Sequence, residues 1–387
     1  MEYLFILGRN PNLSVAEVFS YLEKENIGVK ECKLEDNGLF VELNSEIDIK
    51  KAISDLGGVI AIGKGSFSGS IEDIEESIQK TEIYPGEKTK FKYSIFSFSD
   101  NDSQDKIHLA IKNKFKEEKL KATYKPPKGM IKTQGGKVFF GSPSKIESYD
   151  IGYFLFKNEA YHFGVLQEVY NTEEAEKRDM DKPERRESLA ISPKLAKTLV
   201  NLSQVKKGEK LLDPFCGVGI ILQEALLQGI NVIGIDIDKD AIKDAYRNIS
   251  WLKGNYSIRA DYKIINKDSK KAEIEKIDGI ATEPSLGKLL KKIPEKQEAV
   301  SIAVKFENLI IDVLNNVKKQ MKAGGKIAFT SPYIKTRGGT IACNIEEILK
   351  KTGLKLHNFK NMEIKFPIRD FRENQIVGRE FYVLVKG

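Results

Sequence analysis

The stretch Leu211-Leu-Asp-Pro-Phe-Cys-Gly-Val-Gly-Ile220 decides the fold. An apolar run stops at Asp213, small residues follow, and an apolar segment of helical spacing begins at once. A second buried-strand pattern, Val232-Ile-Gly-Ile-Asp236, ends in another carboxylate. A strand, a glycine turn, a helix and an acid-tipped strand make one nucleotide-binding half of a doubly wound α/β sheet. Glycines let the backbone pass close to a ligand, and the terminal acid can accept both hydroxyls of a ribose.

The wording narrows the ligand. A dinucleotide loop would carry a third glycine where this chain has Leu222, and a phosphate-gripping loop would be followed by lysine, which is absent. Asp213-Pro-Phe-Cys-Gly-Val-Gly219 instead resembles the cofactor loop of S-adenosylmethionine-dependent nucleic-acid amino-methyltransferases.

Composition bounds the rest. A chain of 387 residues exceeds one comfortable core, so two or three domains are expected. Lys and Arg number 63 against 56 Asp and Glu, a formal charge of +7 that is compatible with a polyanionic partner without demanding one. Cys32, Cys216 and Cys343 are isolated, and His108, His162 and His357 are scattered, so neither disulfides nor a metal site is expected. Met1–Leu7 is too short and acidic for a signal peptide, and no apolar run reaches membrane-spanning length. The expectation is a cytoplasmic protein with no membrane partner.

Along the chain, Tyr3–Leu7, Leu39–Leu43 and Gly58–Ile62 read as strands, and Ser14-Val-Ala-Glu17 as a helix-opening capping box. A second α+β unit opens near Ile71, with Phe91–Ile95 alternating as a strand and Ile107, Ala110, Ile111 and Phe115 marking a helix. A dense basic run reaches from Lys112 to Lys132, with the stiff turn Tyr124-Lys-Pro-Pro-Lys-Gly129 inside it. Interleaved Glu117 and Glu118 suit an ordinary solvated helix face equally well. Glu168–Arg186 is polar without apolar periodicity and reads as a linker; Ser192 then caps a helix opening on Pro193. A parallel α/β domain follows, with strands near 210–212, 232–235, 262–265, 279–282, 326–330, 354–359 and 379–385, the last two forming an antiparallel edge hairpin.

Ligands of open α/β sheets sit beyond the carboxyl ends of the strands. Those ends carry Asp213, Asp236, Asp268-Ser269 and Glu283-Pro284, four acidic tips facing one crevice. Asp236 is expected to hold the ribose, with Ile237 beside it, and Asp268 with Ser269 the adenine amino group. The loop Pro214, Phe215, Cys216, Gly217 and Gly219 would cover the methionine part, with Asp213 near its ammonium. An exocyclic base amine is a poor nucleophile, so a side-chain oxygen and a rigid backbone carbonyl must accept its protons. Amino-methyltransferases use Asp-Pro-Pro-Tyr or Asn-Pro-Pro-Tyr here, whose aromatic stacks on the base. This chain has Glu283-Pro-Ser-Leu286, which keeps the acid and the first proline but not the aromatic. Phe215, Tyr333 or an aromatic of the N-terminal half are candidates for the missing surface.

At this point the chain resembles the THUMP-domain tRNA guanine-N2 methyltransferases over nearly its whole length. The motifs are Arg178-Asp179, Lys182-Pro183, Arg185-Arg186, Pro193-Lys-Leu-Ala196, Val200-Asn-Leu202, Asp213–Gly219, Glu224-Ala225 and Gly234-Ile-Asp-Ile-Asp238. The resemblance implies a ferredoxin-like domain (1–68), a THUMP RNA-binding domain (69–166), a linker (167–187) and a Rossmann-like methyltransferase domain (188–387). It implies methyl transfer from S-adenosylmethionine to N2 of a tRNA guanosine, guanosine-10 favoured over guanosine-6, and adds Pro193 to the cofactor residues. It gives Lys125, Lys128, Lys132, Arg369 and Arg372 a partner in tRNA phosphates. A helper subunit, which some relatives need, stays open. The alternatives are a tRNA- and cofactor-binding protein with impaired catalysis, and a DNA adenine-N6 methyltransferase.

Overall fold

The computed structural model describes residues 1–127, 130–132, 138–140, 149–185, 191–287, 290–360, 362–372 and 375–387. They form two units: Met1–Val15, Ile27–Ser54 and Gly58–Thr172 in the first, Ala16–Asn26, Asp55–Gly57 and Glu173–Gly387 in the second.

The first unit is built on strands β1 (Glu2–Leu7), β2 (Val29–Glu35), β3 (Gly38–Leu43), β4 (Val59–Gly69), β5 (Lys90–Phe98) and β6 (Lys121–Tyr124). A separate hairpin of β7 (Met130–Lys132) and β8 (Val138–Phe140) precedes β9 (Ile151–Lys157) and β10 (Tyr161–Val169). One eight-stranded sheet runs β2-β3-β1-β4-β10-β9-β5-β6. Strands from both sides of the expected 68/69 boundary therefore share a single sheet, joined where β4 pairs with β10. Alternation buries both faces. Tyr93, Ile95, Tyr153 and Leu155 join one cluster with helices α3 (Ile71–Lys80) and α4 (Asn101–Glu117), which follow α1 (Pro11–Lys24) and α2 (Ile49–Asp55). Phe96, Phe98, Phe154 and Phe156 join another. Helix α1 starts earlier than the capping-box reading has it. Asn10 is the cap, its Oδ1 accepting Leu13 N–H at 3.2 Å, while Ser14 lies inside the helix and donates to the Gly58 carbonyl at 2.8 Å.

The second unit opens with a helix inside the expected linker. Thr172–Asp181 is helix α5, with Glu173 and Glu174 in its favourable first turn and only Ala175 buried, so it lacks the apolar stripe by which helices are read. The expected 187/188 boundary lies outside the described residues; the unit takes in the chain from Glu173. Helix α6 (Pro193–Leu202) is capped by Ser192 as expected. Then come β11 (Lys210–Asp213), α7 (Ile220–Leu227), β12 (Asn231–Asp236), α8 (Lys239–Asn255), β13 (Tyr262–Asn266), β14 (Gly279–Thr282), α9 (Lys296–Val317) and β15 (Lys326–Thr336). The chain closes with β16 (Gly339–Ala342), α10 (Ile345–Thr352), β17 (Lys355–Leu356), β18 (Ile368–Asp370) and β19 (Val377–Val385). The main sheet order is β13-β12-β11-β14-β15-β19-β17, parallel as far as β15 and antiparallel at β19. The expected edge hairpin is present, although its first strand is only Lys355–Leu356 and β18 also pairs with β19.

Among the described residues no helix is long and apolar enough to cross a membrane, and no group of three or more His, Cys, Asp or Glu is arranged to hold a metal ion.

Candidate active site

Strands β11, β12, β13 and β14 end on the same side because they are parallel, and their tips open into a cleft of about 1020 Å³. Asp213, Pro214, Phe215, Cys216, Gly217, Asp236, Ile237, Asp268, Ser269, Glu283 and Pro284 all line it. Two expected cofactor residues do not. Gly219 caps α7 at φ +84°, where a side chain would also approach Ala245, and Pro193 is buried at the start of α6.

The loop after β11 is held by its own hydrogen bonds. Asp236 accepts from Gly217 N–H at 2.8 Å and Asp238 N–H at 2.9 Å, coupling the two acidic strand tips. A carboxylate has about four lone-pair sites, so two remain for a ligand. Gly217, at φ +50°, has open space where a Cβ would stand, leaving its backbone accessible from the cleft. Ile237 beside it is 73% exposed, an apolar side chain turned to solvent at a polar rim. Ser269 is committed elsewhere: its hydroxyl donates to the Pro214 carbonyl at 2.6 Å and so pins the loop.

Asp213 is buried, accepting from the Thr282 hydroxyl at 2.6 Å and Phe215 N–H at 3.1 Å. Burial, reinforced by the negative Asp236 and Glu283, pushes its carboxyl from 3.8 up to about 7 despite these bonds. Burial likewise raises the Cys216 thiol, which is therefore no nucleophile.

Glu283 extends β14 into the cleft and meets Arg379 of β19. Arg379 Nε and Nη2 donate to its two oxygens at 2.7 and 2.9 Å, and the Thr330 hydroxyl lies at 3.4 Å. Burial alone would lower the guanidinium's titration, but the Glu283 carboxylate keeps it above its ordinary value. Sequence reading missed Arg379. Its signal was a charged residue in an otherwise buried strand, Val377-Gly-Arg-Glu-Phe-Tyr-Val-Leu-Val385, where Arg379 and Glu380 must face opposite sides.

The expected tRNA contacts are scattered. Arg369 donates to buried Glu380 at 3.0 Å and covers the Tyr333 ring at 4.4 Å, so it belongs to the opposite face of β19 and, like Arg372, does not line the cleft. That also removes Tyr333 as a base platform, whereas Phe215 and Leu286 do line the cleft. Lys125 follows β6 in the first unit; Lys128 lies outside the described residues, and Lys132 is described only as backbone of β7.

A seven-strand path of β13-β12-β11-β14-β15-β19-β17 with a carboxylate-tipped cleft defines a class I methyltransferase domain. A family model described as an RMKL-like methyltransferase domain matches residues 183–332, and one described as a DNA methylase matches residues 17–247. The tRNA (guanine(10)-N2)-dimethyltransferase of Methanothermobacter thermautotrophicus is 36% identical over 37% of this chain, a match spanning 39% of that protein's length. A probable enzyme of the same name from Methanothermococcus thermolithotrophicus is 32% identical over 36% of this chain and 79% of its own. The Pyrococcus abyssi counterpart is 27% identical over 74% of this chain and 78% of its own. TrmN from Thermus thermophilus matches in fold along both whole chains, with a TM-score of 0.53 at 15% identity. The chain belongs to the tRNA guanine-N2 methyltransferase family.

Proposed function

We propose that this protein transfers methyl groups from S-adenosylmethionine to N2 of guanosine-10 in tRNA. The observation that carries the reading is Glu283-Pro284 standing in the same cleft as the Asp213–Gly217 loop and Asp236. The residues fit the cofactor. Asp236 keeps lone pairs for the ribose hydroxyls, exposed Ile237 offers a face to adenine, and Asp268 reaches the adenine amino group. The open backbone at Gly217 accommodates the methionine part, and Asp213 faces its ammonium. Bound there, S-adenosylmethionine supplies an electrophilic methyl on a cationic sulfur that leaves as a neutral thioether.

The protein's own work is positioning. A Glu283 oxygen and the Pro284 carbonyl accept the two N2 protons, concentrating the lone pair on nitrogen. The proton released after the N–C bond forms passes to Glu283 and then to water. Phe215 and Leu286 offer the apolar surface on which the base rests. The first unit, with Lys125 and the neighbouring lysines, grips tRNA phosphates. The first unit would thus serve RNA capture, and the second catalysis.

The test is transfer of labelled methyl to unmodified total tRNA, with the product nucleoside identified and mapped. Labelled N2-methylguanosine or N2,N2-dimethylguanosine at position 10 is the expected result. Label on DNA adenine instead would favour the second reading, which rests on the DNA methylase match over residues 17–247. Binding of tRNA and cofactor without transfer would favour impaired catalysis.

A further inference from the structure

We propose that Arg379 is a positioning residue for the reaction, clamping Glu283 so that one carboxylate oxygen is presented to the base amine in a single orientation. The inference rests on the methyl-transfer reading, which names Glu283 as the proton acceptor.

Glutamate has one more rotatable bond than aspartate, and an unrestrained Glu283 would spread its oxygens over several positions at the cleft wall. Arg379 removes that freedom. The fork from Nε and Nη2 to the two oxygens, at 2.7 and 2.9 Å, fixes both distance and plane, as only a guanidinium can. Both side chains are largely buried, at 17% and 8% exposure, and both line the cleft. The fork is itself braced. Arg379 stands opposite Pro332 in the β15–β19 register, and Thr330, two residues along β15 on the same face, directs its hydroxyl at Glu283. Arg379 Nε and the Thr330 hydroxyl both address Oε2, whereas Oε1 accepts only from Nη2, so Oε1 is the oxygen that keeps a lone pair for a ligand.

A buried ion pair can be purely structural, so the test must read more than stability. In the full-length protein, Arg379→Met is expected to lower kcat by about a hundredfold, the scale of a misplaced acid–base group, with cofactor Kd changed by less than about threefold. Guanidinium at millimolar concentration restores part of the rate. Arg379→Lys keeps the charge and the fold but not the fork, and is expected to lose about tenfold in kcat. Unchanged kcat in both variants overturns the proposal, as does a loss that tracks melting temperature and is not rescued by guanidinium. The infrared carboxylate bands of Glu283, taken by difference against Glu283→Gln, read the clamp without turnover. A changed splitting between the two carboxylate stretches in Arg379→Met supports the clamp, and an unchanged splitting rejects it. Wild-type protein that transfers no methyl to any tRNA would overturn the methyl-transfer reading instead.

Discussion

Asp213 and Asp236 are both strand-end aspartates, and their surroundings give them different tasks. Asp236 spends two lone pairs on the loop and keeps two for a ligand. Asp236→Ala is therefore expected to weaken cofactor binding at least a hundredfold, about 3 kcal/mol for two charge-assisted hydrogen bonds, in a protein that still folds. Calorimetric titration beside a thermal melt checks this, and unchanged affinity rejects the ribose assignment. Asp213 titrates near 7 in the folded protein and near 3.8 when exposed. As pH rises between these values the unfolded chain loses a proton that the native state keeps, so stability falls across that window and levels off above about 7. Melts of Asp213→Asn should lack this slope and lie above wild type at pH 7. Facing an ammonium, Asp213 would ionise, so cofactor binding near neutral pH should release a proton, visible as a buffer-dependent binding enthalpy. Both aspartates were legible in the sequence because each ends an apolar run. Arg379 was not, because its apolar strand marks it as unusual without naming Glu283, 96 positions away, as its partner.

At the level of elements, what could be read followed periodicity. Strands β11, β12 and β14 are short, apolar between their end residues, polar at the last one and followed by turns, so they stand close to where the pattern puts them. Helix α5 was hidden because it buries a single alanine, leaving propensity as its only signal. The single sheet of the first unit was hidden for a different reason. The pairing of β4 with β10 joins residues roughly a hundred positions apart, and no local pattern encodes it. The loop between β11 and α7 makes the sharpest prediction at this scale. Gly219 has φ +84° and a neighbouring Ala245 Cβ at 3.3 Å from where its own would stand. Gly219→Ala should cost about 1–2 kcal/mol in chemical denaturation and weaken cofactor binding, by tilting the start of α7. A wild-type melt and affinity would mean that the loop tolerates an ordinary residue there.

For the whole molecule, the division of labour between RNA capture and methyl transfer predicts separable defects. Lys121→Glu with Lys125→Glu should weaken tRNA binding by about tenfold or more and flatten its salt dependence, leaving cofactor affinity unchanged. Filter binding across a salt series measures both, and an unaltered salt slope would exclude this surface from the tRNA interface. The division does not extend to the polypeptide itself. Within the second unit Asn201 is buried and donates to Glu17 and to the Asp55 carbonyl, both at 2.7 Å, while accepting from Lys24 at 3.1 Å. A fragment of residues 187–387 would leave that amide without its partners, so it should melt well below the full chain or fail to fold. The sequence alone suggests a clean cut there, because it cannot reveal that Ala16–Asn26, near the front of the chain, belongs with the unit at the back.

That arrangement also sets a timetable. Lys24 and Asn201 are 177 residues apart, so at ribosomal speeds of 5–20 residues per second the first must wait about 9–35 s for the second. During that interval Ala16–Lys24, the part of this helix that belongs to the second unit, lacks the partners against which Phe19, Leu22 and Lys24 are later buried. Nascent chains of this protein should therefore engage chaperones early and release them only after the region around Asn201 has emerged.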